Sequence, residues 1–575
     1  MWLWACAGAP HAQSRRAAVT PAAVSSPSRQ LTLSIVTTND VHGHLEQLPL
    51  LGGYLRNLRS ARARDGAVLL LDAGDSFQGT LESNLGEGAA MVRGYNALGY
   101  AAAAIGNHEF DFGPVGPQPL ALTPADAPLG ALSARLEQSH FPWLSANLRD
   151  VRGGAFPIAK VQRSLLLQVA GVRVGIVGGL TMDALSQTAA PNVAGLSLAP
   201  LEQNIADEAR LLREHGAQLV IALVHVGGEC YDCRNPDDLS SCDADSELFR
   251  LARALPSKLV DVIVGGHTHE LIAHRVAAIP VLEAGANGRA FGRIDLELAL
   301  DGDRARVLAQ HIFQPRRLCL EQLDTPACTV ESYEGVRVER DPAVLAAITA
   351  DFEAARALRV SPLGVQVVSE VTRASRVESP LANLVADLML RAFPHADAAL
   401  NNSGAVRAAL PVGPLTYGQV FEMFPFDNAL ATLRIDAGTL ARIVASNLRG
   451  THGILALSGL RAEARCVDTQ LVVRLFRPSG EPLADDTPLL VVTSDFLAAR
   501  GEGLLTGAVD DEKAVTIHRD RQMREALLDG LKAYPGARID GRARALFDPA
   551  EPRIRYPGTR PVACPAAAPS ASAPP

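Results

Sequence analysis

The chain has 575 residues, 48% of them hydrophobic and 20% charged, with 48 glycines and 37 prolines. That balance excludes a disordered or collagen-like polypeptide and supplies material for roughly two to four packed domains. The formal net charge of −8 argues against nonspecific binding of nucleic-acid polymers. No apolar run reaches the roughly 18 residues of a membrane span.

Residues 1–29 open apolar at Met1–Ala5 and turn Ala/Ser/Pro-rich, which resembles the tail of a secretory signal without its charged beginning. Within them, Leu3-Trp4-Ala5-Cys6 is similar to a bacterial lipobox and marks Cys6 as a candidate lipid anchor. The expectation is export to an extracytoplasmic place: periplasm, medium or cell surface. Residues 556–575 are Pro/Ala/Ser-rich and read as a disordered tail.

Residues 30–315 repeat one pattern, a short aliphatic run followed by a polar, glycine-containing turn. The runs are Leu31–Thr38, Ala67–Leu71, Ala101–Ile105, Leu219–Val224 and Leu259–Val264. Helix-like stretches lie between them at Gly52–Arg64, Ala89–Leu98 and Leu201–His215. The alternation predicts an α/β domain with a largely central sheet.

The turns carry the chemistry. Asn39-Asp40-Val41-His42-Gly43-His44 follows the first run, Asp72-Ala73-Gly74-Asp75 the second, and Gly106-Asn107-His108-Glu109-Phe110-Asp111 the third. The fourth ends at His225, and the fifth at Gly265-Gly266-His267-Thr268-His269. Ligands gather beyond the carboxyl ends of strands in α/β sheets, so five ends deliver Asp, Asn and His to one rim. One histidine after a strand is usually structural; five coincident deliveries predict a metal site. The donors are N and O without thiolate, which suits Zn, Mn, Fe, Co or Ni. There are too many for one tetrahedral ion. Two ions about 3.5–4 Å apart need a bridging carboxylate, and Asp75 is the natural candidate. Such a pair activates water at neutral pH and clamps a phosphoryl group in line.

Cys230-x-x-Cys233 lacks a second Cys-x-x-Cys to complete a zinc site. Disulfides fit an exported chain better, with Cys319 and Cys328 bracketing one short loop and at least one thiol left free once Cys6 is set aside. Residues 316–360 read as a linker whose helix begins at Asp341-Pro342 and runs to Leu358. Residues 361–555 turn to mixed α/β, with Ser379-Pro380 capping a helix to Arg391.

These blocks resemble those of the calcineurin-like metallophosphoesterases, and the Asn-Asp-x-His-Gly opening, the Gly-Asn-His-Glu-Phe-Asp block and the closing Gly-His-Thr-His narrow the resemblance to the 5′-nucleotidase family. It implies two domains: an N-terminal metallophosphatase α/β sandwich and a C-terminal mixed α/β nucleotide-binding domain, joined by a linker helix. It implies two divalent ions, Zn, Mn or Co, one held by Asp40, His42, Asp75 and His269 and the other by Asp75, Asn107, His225 and His267. His108 would meet the phosphate, oriented by Asp111; His44 and Glu109 read as structural.

The same resemblance extends to Glu378–Asp387, to the loop from Asn401 to Arg407 and to Phe424-Pro425-Phe426-Asp427-Asn428. It implies a substrate site built from Arg373, Arg376, Asn402, Arg407, Phe426, Asn428, Phe496 and Glu502, with the base stacked between the two phenylalanines. Ala382 and Ala405 replace the family's usual glycines, and Glu502 replaces its usual Asp, which leaves substrate preference open. The expected activity is phosphate removal from nucleoside 5′-monophosphates. The alternatives are 2′,3′-cyclic nucleotide phosphodiesterase, UDP-sugar hydrolase and other nucleotide phosphatase activities, or a catalytically dead surface binding protein. A related thiosulfohydrolase of sulfur oxidation is disfavoured by Phe426 and Phe496.

Overall fold

The structure is a computed structural model that describes residues 29–564 apart from 117–119, 122, 124, 302–303, 319–331, 427, 499–502, 506–508 and 510–513. Cys6, Cys319, Cys328 and Glu502 therefore lie outside the described residues, as do residues 1–28 and 565–575. Residues 556–564, expected as the start of a disordered tail, instead pack on the second domain through Tyr556 and Val562.

The first domain is built on two sheets rather than one. Strand Arg29–Thr38 pairs in parallel with Gly66–Asp72 and antiparallel with Ala290–Asp301, inside a seven-stranded sheet. Strand Leu219–His225 lies in a six-stranded sheet, parallel to Val172–Leu180 and Val262–Val264. The sheets face each other across a core of Leu33, Ile35, Leu69, Leu71, Ile221 and Leu223. Alternate residues point the other way. Val36 and Leu70 pack under helices Leu48–Arg62 and Ala89–Leu98, while Val220, Ala222 and Val224 pack under Leu201–Glu214 and Glu247–Ala254. The domain is thus a four-layer sandwich, helices outside and two sheets within.

The α/β sandwich implied by the resemblance is what forms; the alternation of runs predicted a largely central sheet and could not by itself separate one sheet from two. A strand in either arrangement buries both faces, so its sequence is the same continuous aliphatic run. The run Val172–Leu180 escaped notice because three of its residues are glycines. A Cβ on Gly178 would stand 2.3 Å from the Leu144 carbonyl carbon, so the close approach of the two sheets requires glycine there.

Helix Pro342–Arg359 starts at Asp341, whose carboxylate accepts from the Ala343 and Val344 amides. Val344 and Ile348 insert into the first-domain core. At its far end Ala355 meets Leu81 of the first domain and Phe421 of the second. There Arg359 forks onto Glu82 with bonds of 2.7 and 2.6 Å and also pairs with Glu422. One guanidinium ties both domains to the connecting helix.

The second domain holds a five-stranded sheet in the order Leu455–Ser458, Ala398–Asn402, Pro488–Ser494, Ala429–Asp436, Val515–Gln522. Ala398 and Leu400 face helix Ala437–Arg449, and Ala399 faces helix Pro380–Ala392. Ser379 caps the latter by accepting from the Ala382 amide. Cys466–Cys564 staples the end of the described chain to this domain, and Cys230 pairs with Cys242, which leaves Cys233 free.

Candidate metal centre and substrate cleft

The strand ends of both sheets meet on one rim. Asp40, His42, Asp75, His267 and His269 all adopt positive φ, between 48° and 88°. Such conformations are costly for non-glycine residues and persist where surrounding bonds over-determine them. Glu109 supplies many of those bonds: its buried carboxylate accepts from the amides of Asp75 (2.9 Å), Ser76 (2.7 Å) and Gly106 (2.7 Å). His42 and Asp75 are also tied to each other through the His42 amide and the Asp75 carbonyl, at 3.0 Å.

Two groups of donor atoms result, Asp40 with His42 and His269, and Asp75 with His225 and His267; within each group the atoms lie within 4.8 Å of one another. His42 Nε2 stands 3.1 Å from His269 Nε2, and His225 Nε2 stands 3.1 Å from Asp75 Oδ2, 3.2 Å from Asn107 Oδ1 and 3.3 Å from His267 Nδ1. The groups touch where Asp40 Oδ2 accepts the His267 amide at 2.8 Å.

This donor set fits divalent cations. The Nδ1 atoms of His42 and His225 are committed to the carbonyls of Gln78 (3.0 Å) and Ala73 (2.8 Å), so each Nε2 lone pair points into its cluster. Asp40 Oδ1 is buried with no hydrogen-bond partner among the described residues. A buried carboxylate oxygen left so costs free energy unless a cation meets it.

His108 stands beside the clusters. Its amide donates to Asp75 Oδ1 at 2.8 Å, and its Nδ1 lies 2.6 Å from Asp111 Oδ2. Burial works against a charge on this imidazole, but Asp111 and then Asp75 outweigh it and push its pKa up to about 9. Cations held in the clusters would act in the opposite direction.

A cleft of about 190 Å³ opens from His108 and Asp111 towards the second domain, where Asn402, Arg407, Phe426, Asn428 and Phe496 line it. Phe426 follows helix Tyr417–Met423 and packs edge-on against Phe424, while Phe496 lies in the short helix Asp495–Ala498 that follows strand Pro488–Ser494. The Arg407 amide is held by the Met423 carbonyl at 2.8 Å, and its guanidinium carbon sits 5.9 Å from the Phe426 ring centre. Asp495 fixes Asn428 by accepting a hydrogen bond from its side-chain amide at 2.8 Å.

Two residues expected in the substrate site stand back from the cleft. Arg373 is exposed and spends its guanidinium on the Arg407 carbonyl at 2.6 Å, bracing that loop from outside. Arg376 is also exposed and does not line the cleft. His44 pairs with Glu46 at 2.7 Å, away from both clusters. Sequence reasoning missed Gln78 and Asn84, whose side-chain amides both donate to the Pro425 carbonyl at 3.3 and 3.0 Å and so dock the Phe426 loop on the Asp75 loop. It also missed Thr188 and Asn192, which lie in a segment without a motif.

The calcineurin-like phosphoesterase model matches residues 33–271, and the 5′-nucleotidase C-terminal domain model matches residues 360–509. A snake venom 5′-nucleotidase of Naja atra is 27% identical, covering 82% of this chain and 90% of the relative. Protein UshA of Yersinia enterocolitica is 26% identical over 82% of this chain and 86% of its own length. The trifunctional nucleotide phosphoesterase YfkN of Bacillus subtilis is 25% identical over 90% of this chain, which spans only 35% of that longer protein. Among solved structures, a 5′-nucleotidase precursor of Thermus thermophilus superimposes with a TM-score of 0.72 at 25% identity, covering 92% of this chain and 99% of the other. With both domains matched in order and the rim of Asp, Asn and His intact, the chain belongs to the 5′-nucleotidase family of metal-dependent phosphoesterases.

Proposed function

We propose that the protein is a dinuclear phosphohydrolase that removes phosphate from nucleoside 5′-monophosphates. The observation that carries this reading is the cleft itself, which joins His108 at the edge of the donor clusters to two phenylalanines in the other domain. One ion would be held by Asp40, His42, Asp75 and His269, the other by Asp75, Asn107, His225 and His267; Zn, Mn and Co suit these N and O donors. When bound, such ions lower the pKa of water and offset charge on phosphoryl oxygens.

The chain's own groups do the rest. His108 donates from Nε2 to a phosphoryl oxygen as charge builds, and Asp111 keeps the proton on Nδ1 so that the ring faces the right way. Arg407 offers a planar fork to the phosphate, with Arg373 stiffening its loop. Phe426 and Phe496 sandwich the base, with Asn402 and Asn428 on the cleft wall and Glu502 proposed to hold the nucleoside. Excluding water from a closed cleft strengthens each of these contacts.

An extracytoplasmic location, periplasm, medium or cell surface, with Cys6 as candidate anchor, is supported by the two disulfides among the described residues. No helix among those residues is long and apolar enough to cross a membrane.

The test is phosphate release from AMP, other nucleotides, a 2′,3′-cyclic nucleotide and UDP-glucose in the presence of Mn, Zn or Co. The highest kcat/KM is expected on a 5′-monophosphate. A higher value on the cyclic nucleotide or the UDP-sugar reassigns the substrate, and no metal-dependent release from any of them overturns the reading.

A further inference from the structure

The carboxylate of Asp111 has two oxygens and two partners. Oδ2 faces His108 Nδ1 at 2.6 Å, and Oδ1 accepts the hydroxyl proton of Thr188 at 3.0 Å. Thr188 is 2% exposed and lines the cleft. It belongs to the segment that follows strand Val172–Leu180 of the six-stranded sheet, whereas His108 and Asp111 follow strand Ala102–Ala104 of the seven-stranded sheet. Four residues after Thr188, the Asn192 side-chain amide donates to the carbonyls of Phe110 (2.9 Å) and Asp111 (3.3 Å). The Asn192 side-chain oxygen Oδ1 in turn accepts the Ala121 amide at 2.9 Å. One segment therefore holds both the backbone and the side chain of Asp111.

We propose that Thr188 is a positioning residue for the phosphoryl-transfer step, acting through Asp111 on the direction in which His108 points; the proposal rests on the role given above to His108. An aspartate carboxylate rotates broadly about its last bond, so one hydrogen bond to His108 does not fix its plane. A second bond from a β-branched residue with a stiff side chain does. The Oδ2 lone pair then stays aimed at Nδ1, Nδ1 keeps its proton, and the Nε2–H of the protonated ring stays turned to the cleft. Among the described residues the Thr188 hydroxyl donates to Asp111 and to no group proposed to bind the phosphate or the base, so its loss should appear in kcat rather than KM.

The experiment uses the full-length, metal-loaded protein. Thr188→Val keeps the branched shape without the hydroxyl, Thr188→Ser keeps the hydroxyl, and both are also made in an Asp111→Ala background. Thr188→Val is expected to lower kcat on AMP about tenfold, the worth of one hydrogen bond to a charged group, with KM and metal content unchanged. Thr188→Ser should recover most of that loss, and neither change should matter once Asp111 is alanine. A second readout is independent of turnover: in histidine-labelled protein the Nδ1–H resonance of His108 should be protected from exchange in the wild type and in Thr188→Ser but not in Thr188→Val. Unchanged kcat and protection in Thr188→Val, or an equal loss in the Asp111→Ala background, overturns the proposal. If Thr188→Val does not fold, Thr188→Ser with less than half of wild-type protection overturns it as well. A wild type that shows the protected proton yet hydrolyses no nucleotide would overturn the functional reading and leave the positioning role standing.

Discussion

The Phe426 ring lies 6.2 Å from the His108 imidazole and is tilted by 30° to it. These residues come from different domains and are more than three hundred positions apart, yet they share one cleft. Their approach is held by Gln78 and Asn84 on the Pro425 carbonyl and, at the end of the connecting helix, by Arg359 on Glu82 and Glu422. The first set of contacts positions the aromatic loop; the second fixes the joint from which it is reached.

Asp75 sits in the second donor cluster, and its backbone ties it to His42 in the first. Asp75→Ala should abolish activity and reduce bound metal at both positions. Metal analysis that finds two full equivalents in this variant would remove Asp75 from the bridging role.

His108 faces the clusters but commits its Nδ1 to Asp111. His108→Ala should retain both metals and lose turnover by roughly 10²–10⁴-fold, the usual contribution of a positioned acid–base group. Loss of metal in this variant would make His108 a ligand instead, and wild-type turnover would exclude it from the chemistry.

Glu109 is fully buried and gathers the backbone amides of Asp75, Ser76, Phe77 and Gly106. Removing it leaves those donors without an acceptor inside the fold. Glu109→Ala should cost about 3 kcal/mol or more of stability and weaken metal binding, because the strained turn at Asp75 loses its brace. Thermal unfolding and metal content measure both effects; a stable, fully loaded variant would contradict the brace.

The chemistry of the rim was legible because Asp, Asn and His each follow an aliphatic run, and the fold turns those run ends to one side. Asp40, His42, Asp75, His225, His267 and His269 come together in two groups for that reason. The supporting residues were not legible. Thr188 and Asn192 lie in a segment of ordinary loop composition, and their roles exist only because the two sheets face each other. Disulfides were expected without a pairing, because connectivity is not written in spacing; the backbone brings Cys230 to bridge with Cys242, and Cys233 packs at the edge of the inter-sheet core. Arg373 carried a substrate-site expectation only through the family resemblance, while its side chain donates to the Arg407 backbone carbonyl.

Arg359 is half-exposed, so solvent screens its ion pairs and their individual worth is modest. Their arrangement matters more than their strength, since one guanidinium joins both domains. Arg359→Met should broaden the interdomain distances seen by small-angle scattering and raise KM for AMP several-fold. Unchanged scattering and KM would show that the joint is held elsewhere.

The central claim is that one active site is assembled from two domains, phosphate at the rim and base between Phe426 and Phe496. The most direct measurement compares kcat/KM for AMP and for a small aryl phosphate in wild type and in Phe426→Ala plus Phe496→Ala. Base stacking is worth roughly 1–3 kcal/mol per ring contact, so AMP hydrolysis should fall by about a hundredfold or more while the aryl phosphate changes little. Equal kcat/KM for AMP in the two proteins, or an equal loss on both substrates, would contradict the account.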